Sequence, residues 1–129
     1  MTRRLPRALV AAINDSHILG VRAGAATDHR VIGIWAVVVD IRVFARSRKQ
    51  SAGGWYRTFL DDSLGVLEVG GRRVSIRAVR ARGERIRDAI ERAYAEKYRT
   101  PASLKYVRGF RTKRRRETTI EFVPRERQS

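Results

Sequence analysis

The chain has 129 residues, 43% of them hydrophobic, no cysteine, and a formal net charge of +16 from 29 Lys+Arg against 13 Asp+Glu. That length suits a single domain, 1–129, with residues 1–15 as an N-terminal lead-in and 126–129 as a frayed tail. The lack of thiols excludes disulfides and thiolate metal sites and suits a reducing cytoplasm, while the charge favours polyanionic partners without bearing on the fold.

The first stretch, "MTRRLPRALVAAINDSH", begins like a signal peptide, but its apolar run from Ala8 to Ile13 is short and Asn14-Asp15 follow at once. A lead-in helix is expected there. His17 to Arg22 alternates loosely, as a strand does, and "AGAATDH" after it is turn-like. "VIGIWAVVV", Val31 to Val39, is apolar on both faces and rich in β-branched residues, which predicts one strand lying centrally in its sheet. It falls far short of the roughly 20 residues a membrane span needs. After a break at Asp40, the run Ile41 to Ser47 predicts a hairpin partner with Ile41, Val43 and Ala45 on a buried face and Arg42, Phe44 and Arg46 on a mostly polar one.

Gly54 is the expected N-cap of a short helix, "WYRTFLDDS", with Trp55 and Phe59 on one face. "GVLEVGGRRVSIRAV" gives two alternating runs joined by Gly70-Gly71, the signature of a two-residue hairpin turn. From Gly83 to Arg99 the stripe Ile86, Ala89, Ile90, Ala93, Tyr94, Tyr98 marks the strongest helix, supported by Asp88 and Arg92 one turn apart and closed by Pro101. Beyond it, Ala102 to Phe110 reads as a short helix or an irregular segment, "RTKRRRE" as a basic loop and Thr118 to Pro124 as a final strand. Together these elements predict an α+β, mainly β fold: a small barrel of about six strands with two or three helices at its rim.

His17 and His29 are the only imidazoles, and no metal-ligand spacing accompanies them, so no metal is expected. No phosphate loop, nucleophile elbow or dinucleotide fingerprint occurs, and no catalytic acid or base stands out; difficult chemistry would fall to a bound cofactor. Two basic clusters remain. In "FARSRKQSAGGWYRTF", Phe44 to Phe59, the groups Arg46, Ser47, Arg48 and Lys49, with Trp55 and Arg57 at the following helix, suit a phosphate-bearing ligand; a solvated turn with Trp55 in the core is the plain alternative. Between Lys97 and Arg116 there is no acidic residue, and Lys105, Arg108, Arg111, Lys113, Arg114, Arg115 and Arg116, mixed with Tyr106 and Phe110, suit single-stranded nucleic acid against a solvated loop.

The ordered set "IWAVVVDIRVFARS", "GGWYRTF" and "IRDAIERAYAEKYRT", with the Gly70-Gly71 hairpin and the closing Val123-Pro124-Arg125, resembles a family of small bacterial proteins, the domain of unknown function twenty-two fifty-five, from about His17 to Arg125. That family is similar in turn to the flavin- and deazaflavin-binding split β-barrels, the pyridoxamine-phosphate-oxidase-like proteins among them. The resemblance implies a split barrel of six or seven strands, a homodimer, and FMN or deazaflavin held between subunits for a reductase or other oxidoreductase reaction. By position it assigns the cofactor phosphate to Arg46, Ser47, Arg48 and Lys49, with Trp55 and Arg57 nearby. "VVVDIRVF" stands where those barrels usually carry a Gly-Asp turn, and "SRKQSAGG" departs from their commoner glycine-containing loop.

Overall fold

The computed structural model describes residues 4–25, 30–48 and 54–125. Helix α1 (Arg7–Asp15) leads into β1 (Leu19–Ala23), β2 (Ile32–Ile34), β3 (Ala36–Val39) and β4 (Arg42–Ala45). Then follow α2 (Trp55–Asp61), β5 (Leu64–Val69), β6 (Arg72–Arg80), α3 (Glu84–Lys97), α4 (Pro101–Gly109), α5 (Lys113–Arg116) and β7 (Ile120–Pro124). All strand pairs are antiparallel, in the order β2-β1-β5-β6-β7-β4-β3. The first and last strands of that order are consecutive in the chain, separated only by Trp35. The sheet therefore curls into a nearly closed barrel, and Trp35 marks its seam.

This corrects the single central strand expected over Val31 to Val39. The run splits at Trp35 into β2 and β3, which sit at opposite ends of the strand order, and Val31 and Ile32 are exposed. A run apolar on both sides is also what a barrel produces where one strand hands over to another, because inside and outside exchange at the corner. The β4 expectation changes too. Val43 and Ala45 enter the barrel interior as foreseen, but Phe44 and Arg46 on the other face are buried as well, Phe44 in a second core packed outside the barrel.

Two apolar cores result. The interior one joins Leu19, Val21, Val43, Leu67, Ile76, Ile120 and Phe122 to Leu9, Val10 and Ile13 of α1 and to Tyr56 and Phe59 of α2. The outer one packs Ile90 and Tyr94 of α3, Tyr98 at its C-terminal cap, and Val107 and Phe110 around α4 against Val37 and Phe44. Burying a side chain of this size contributes about 1.5–3 kcal/mol, so Phe44 alone gives the outer layer a firm hold on the barrel.

Local chemistry sets the turns and caps. Gly70 and Gly71 close the β5–β6 hairpin at φ 56° and 76°, the doubly left-handed turn that glycine adopts without steric cost. Asp40 and Ile41 make the same kind of turn between β3 and β4, at φ 51° and 63°, with ordinary side chains. Pro101, expected to close α3, also opens α4 behind the Thr100 cap, and the expected basic loop contains the short helix α5 capped by Thr112. Asp88 takes Arg116 as its ion-pair partner. No helix among the described residues is long and apolar enough to cross a membrane.

Candidate functional site

The end of β4 is locked before any ligand is considered. Arg46 is 2% exposed, and its guanidinium donates to Thr119 Oγ1, Phe110 O and Arg87 O, each at 2.9 Å, and to Glu91 Oε1 at 3.3 Å. Burial pulls its pKa down, opposed by Glu91; the fork of donors is satisfied by fixed acceptors and stays charged. The Arg46 amide donates to Tyr94 Oη at 3.0 Å, and that hydroxyl donates to Trp35 O at 2.7 Å. Tyr94, buried in α3, thus holds both the strand end and the seam residue. The Ser47 amide donates to Thr118 Oγ1 at 2.9 Å, and Ser47 is buried.

Arg48 is the first residue past this clamp to reach solvent, and its guanidinium lies over the Tyr106 ring, 4.4 Å from the centroid. Tyr106 meets Trp35 edge-on at 5.8 Å, and Trp35 stacks on Tyr98 at 4.1 Å with the rings 5° apart. His17 lies edge-on to both Trp35 and Tyr98. At the seam, Trp35, Tyr106 and Arg48 help to line an open cavity of about 300 Å³. Its walls are aromatic (Trp35, Trp55, Tyr106, Phe110) and aliphatic (Ile18, Ile32, Ile34), with Arg46 and Arg48 as its cations. Larger grooves exist. One of about 430 Å³ contains Arg42, but that guanidinium is already bidentate to Glu121.

Of the residues assigned from sequence, Arg46, Arg48 and Trp55 line this one cavity. Ser47 and Arg57 are not among its lining residues, Arg57 being exposed on α2, and Lys49 lies outside the described residues, as does His29. Trp35, Ile18 and Ile32 were not singled out for binding. The interruption of an apolar run by a single indole was the available signal. In the second cluster, Lys105, Arg108, Arg111, Lys113 and Arg114 are exposed, whereas Arg115 is half-buried against Gly109 and Arg116 is drawn inward by Glu84, Asp88 and Glu91. A side chain at Gly109 would collide with the Arg115 guanidinium. Phe110 is buried in the outer core and offers no face to a base.

A family model described as "Uncharacterized protein conserved in bacteria (DUF2255)" matches residues 8–122. The chain belongs to this family. No curated protein matches it. Among solved structures, the family member is similar to the conserved hypothetical protein Rv2991 from Mycobacterium tuberculosis, at 13% identity and a TM-score of 0.59, over 98% of this chain and 83% of that one. A second solved chain is similar at 18% identity and a TM-score of 0.55, over 94% and 83%. At such identities the likeness concerns the fold. For the DUF2255 member, the seam cavity therefore has to be read from its own residues.

Proposed function

We propose that this DUF2255 protein binds a flat, phosphate-bearing cofactor of the flavin or deazaflavin class in the seam cavity and serves a reductase or other oxidoreductase reaction as a homodimer. The observation that carries the reading is the set Trp35, Trp55 and Tyr106 around about 300 Å³, with Arg48 at hand as an exposed cation. A cavity of this size is at the small end of the range for ligand sites and suits a planar ring better than a bulky one. Trp35, Trp55 and Tyr106 would hold the ring, and Arg48 would pair with the anionic group.

Arg46 has a different task in this reading. With its donors committed to Thr119, Phe110, Arg87 and Glu91, it fixes the strand end from which Arg48 projects. Ile18 and Ile32 would exclude water at one side of the ring. When bound, a flavin or deazaflavin supplies the hydride-transfer chemistry; the protein supplies binding, orientation and exclusion of solvent.

The test is titration of purified protein with FMN, FAD and a deazaflavin, read by quenching of ligand fluorescence and by native mass. Binding by a dimer is expected, with Trp35→Ala lowering affinity at least tenfold and Arg48→Ala lowering it for the phosphorylated ligand more than for riboflavin. Absence of binding for all three ligands would overturn the reading.

A further inference from the structure

The α4–α5 surface has a use that the cavity does not absorb. On α4, Ser103 and Val107 face the core, as does Phe110 just beyond it, and this forces Lys105 and Arg108 outward as neighbours three residues apart. Arg111 and Lys113 continue the exposed cations toward and into α5. These four side chains form no ion pair among the described residues. The α3 acids have other partners: Arg116 gathers Glu84, Asp88 and Glu91, and Arg46 binds Glu91 from the interior, so that Glu117, exposed one turn beyond Lys113, is the acid at hand. Arg116, Arg46 and Arg87 thus match Glu84, Asp88 and Glu91 in charge, and the positive field of the outer cations is left largely uncompensated.

We propose that Lys105, Arg108, Arg111 and Lys113 form a nucleic-acid-binding surface that contacts the phosphate backbone without reading bases. Charge complementarity names the partner: a duplex carries one negative charge per about 1.7 Å of axis, and nine-residue α4 alone spans about 13 Å. The side chains rule on the mode. Phe110 is buried and Tyr106 turns to the seam cavity beneath Arg48, so the α4–α5 surface itself presents no aromatic platform for stacking single-stranded bases. An anionic membrane is the poorer partner, because Leu104 is the one large apolar residue exposed on this helix.

The full chain is tested by fluorescence anisotropy with a labelled 20-base-pair duplex and the matching single strand between 50 and 300 mM NaCl. Micromolar binding at 150 mM is expected for both, with a log–log salt slope of about −3 to −4 for the duplex, the value for four phosphate contacts. The variant K105A/R108A/R111A should bind at least tenfold more weakly with a slope shallower by about 2–3. R72A/R77A/R80A removes the same formal charge from exposed positions on β6 and should stay within twofold of wild type. Equal losses in the two triple variants would reduce the effect to net charge and overturn the proposal. So would an unaffected strip variant, absence of binding at 50 mM NaCl, or phosphatidylserine vesicles that bind at 150 mM and cannot be displaced by excess duplex. Should the triple variant fail to melt cooperatively, R108E alone carries the same expectation of at least tenfold weaker binding. None of these readouts depends on occupancy of the seam cavity.

Discussion

Arg46 shows how little a residue's type says about its task. In sequence it heads a run of cations and has the fork that suits a phosphate. In the fold its side chain meets Thr119, Phe110, Arg87 and Glu91, which lie 41 to 73 residues further along the chain. Removing one partner of such a buried ionic cluster costs about 3–5 kcal/mol, since the remaining groups lose their counterpart where water cannot replace it. Arg46→Met is expected to lose that much in urea unfolding at pH 7, and Arg46→Lys to recover only part of it, because a single ammonium cannot span the four acceptors. A loss below 1 kcal/mol for Arg46→Met would contradict the assignment. Arg116 is a weaker case: Glu84 and Asp88 are largely exposed, so those pairs contribute little each.

Among the elements, those specified by their own residues were legible. The Gly70-Gly71 hairpin and the α3 stripe both form as read, because turn geometry and helical periodicity act over a few residues. The β3–β4 turn shows a local cost instead. Ile41 is β-branched at φ 63°, a conformation that crowds its Cβ against the backbone by about 1–2 kcal/mol. Replacing Asp40-Ile41 by Asn-Gly should raise stability by about 1 kcal/mol, read as a higher midpoint in thermal or urea unfolding, with part of the relief offset by the greater freedom of glycine in the unfolded chain. An unchanged or lower midpoint would place the strain elsewhere. The split of Val31 to Val39 at Trp35 was not legible, since an apolar run has no mark for where a barrel closes.

For the molecule as a whole, Lys97 ties separate layers together. Its ammonium, in α3, donates to Ile13 O at the end of α1 and to Ala36 O in β3. Burial pushes its pKa down from 10.5 to about 8, with Asp15 opposing. Between those two values the unfolded chain holds more protons than the folded one, so stability contributed at this site rises with pH across that window. Tyr94 and Tyr98 act in the other direction. Burial raises both above the usual 10.0, so folded protein keeps protons that the unfolded chain releases, and stability falls in more alkaline solution. The difference in unfolding free energy between wild type and Lys97→Met cancels the tyrosines. It should shift in favour of wild type from pH 8 to pH 10.5; a flat or opposite trend would show that Lys97 is not desolvated.

The sequence by itself determined the mainly β class with its peripheral helices, the hairpin, the α3 core face, and which segments concentrate positive charge. These follow from periodicity, turn chemistry and composition, which are properties of neighbouring residues. Only the tertiary structure decided which cations face solvent. Arg46 and Arg116 are drawn inward by acceptors on α3, joined for Arg46 by Phe110 and Thr119, while Arg48 is left at the cavity and Lys105, Arg108, Arg111 and Lys113 outside. The seam at Trp35 was likewise settled by strand pairing across the whole chain. Burial and counter-charge are supplied by distant segments, and no local pattern carries their positions.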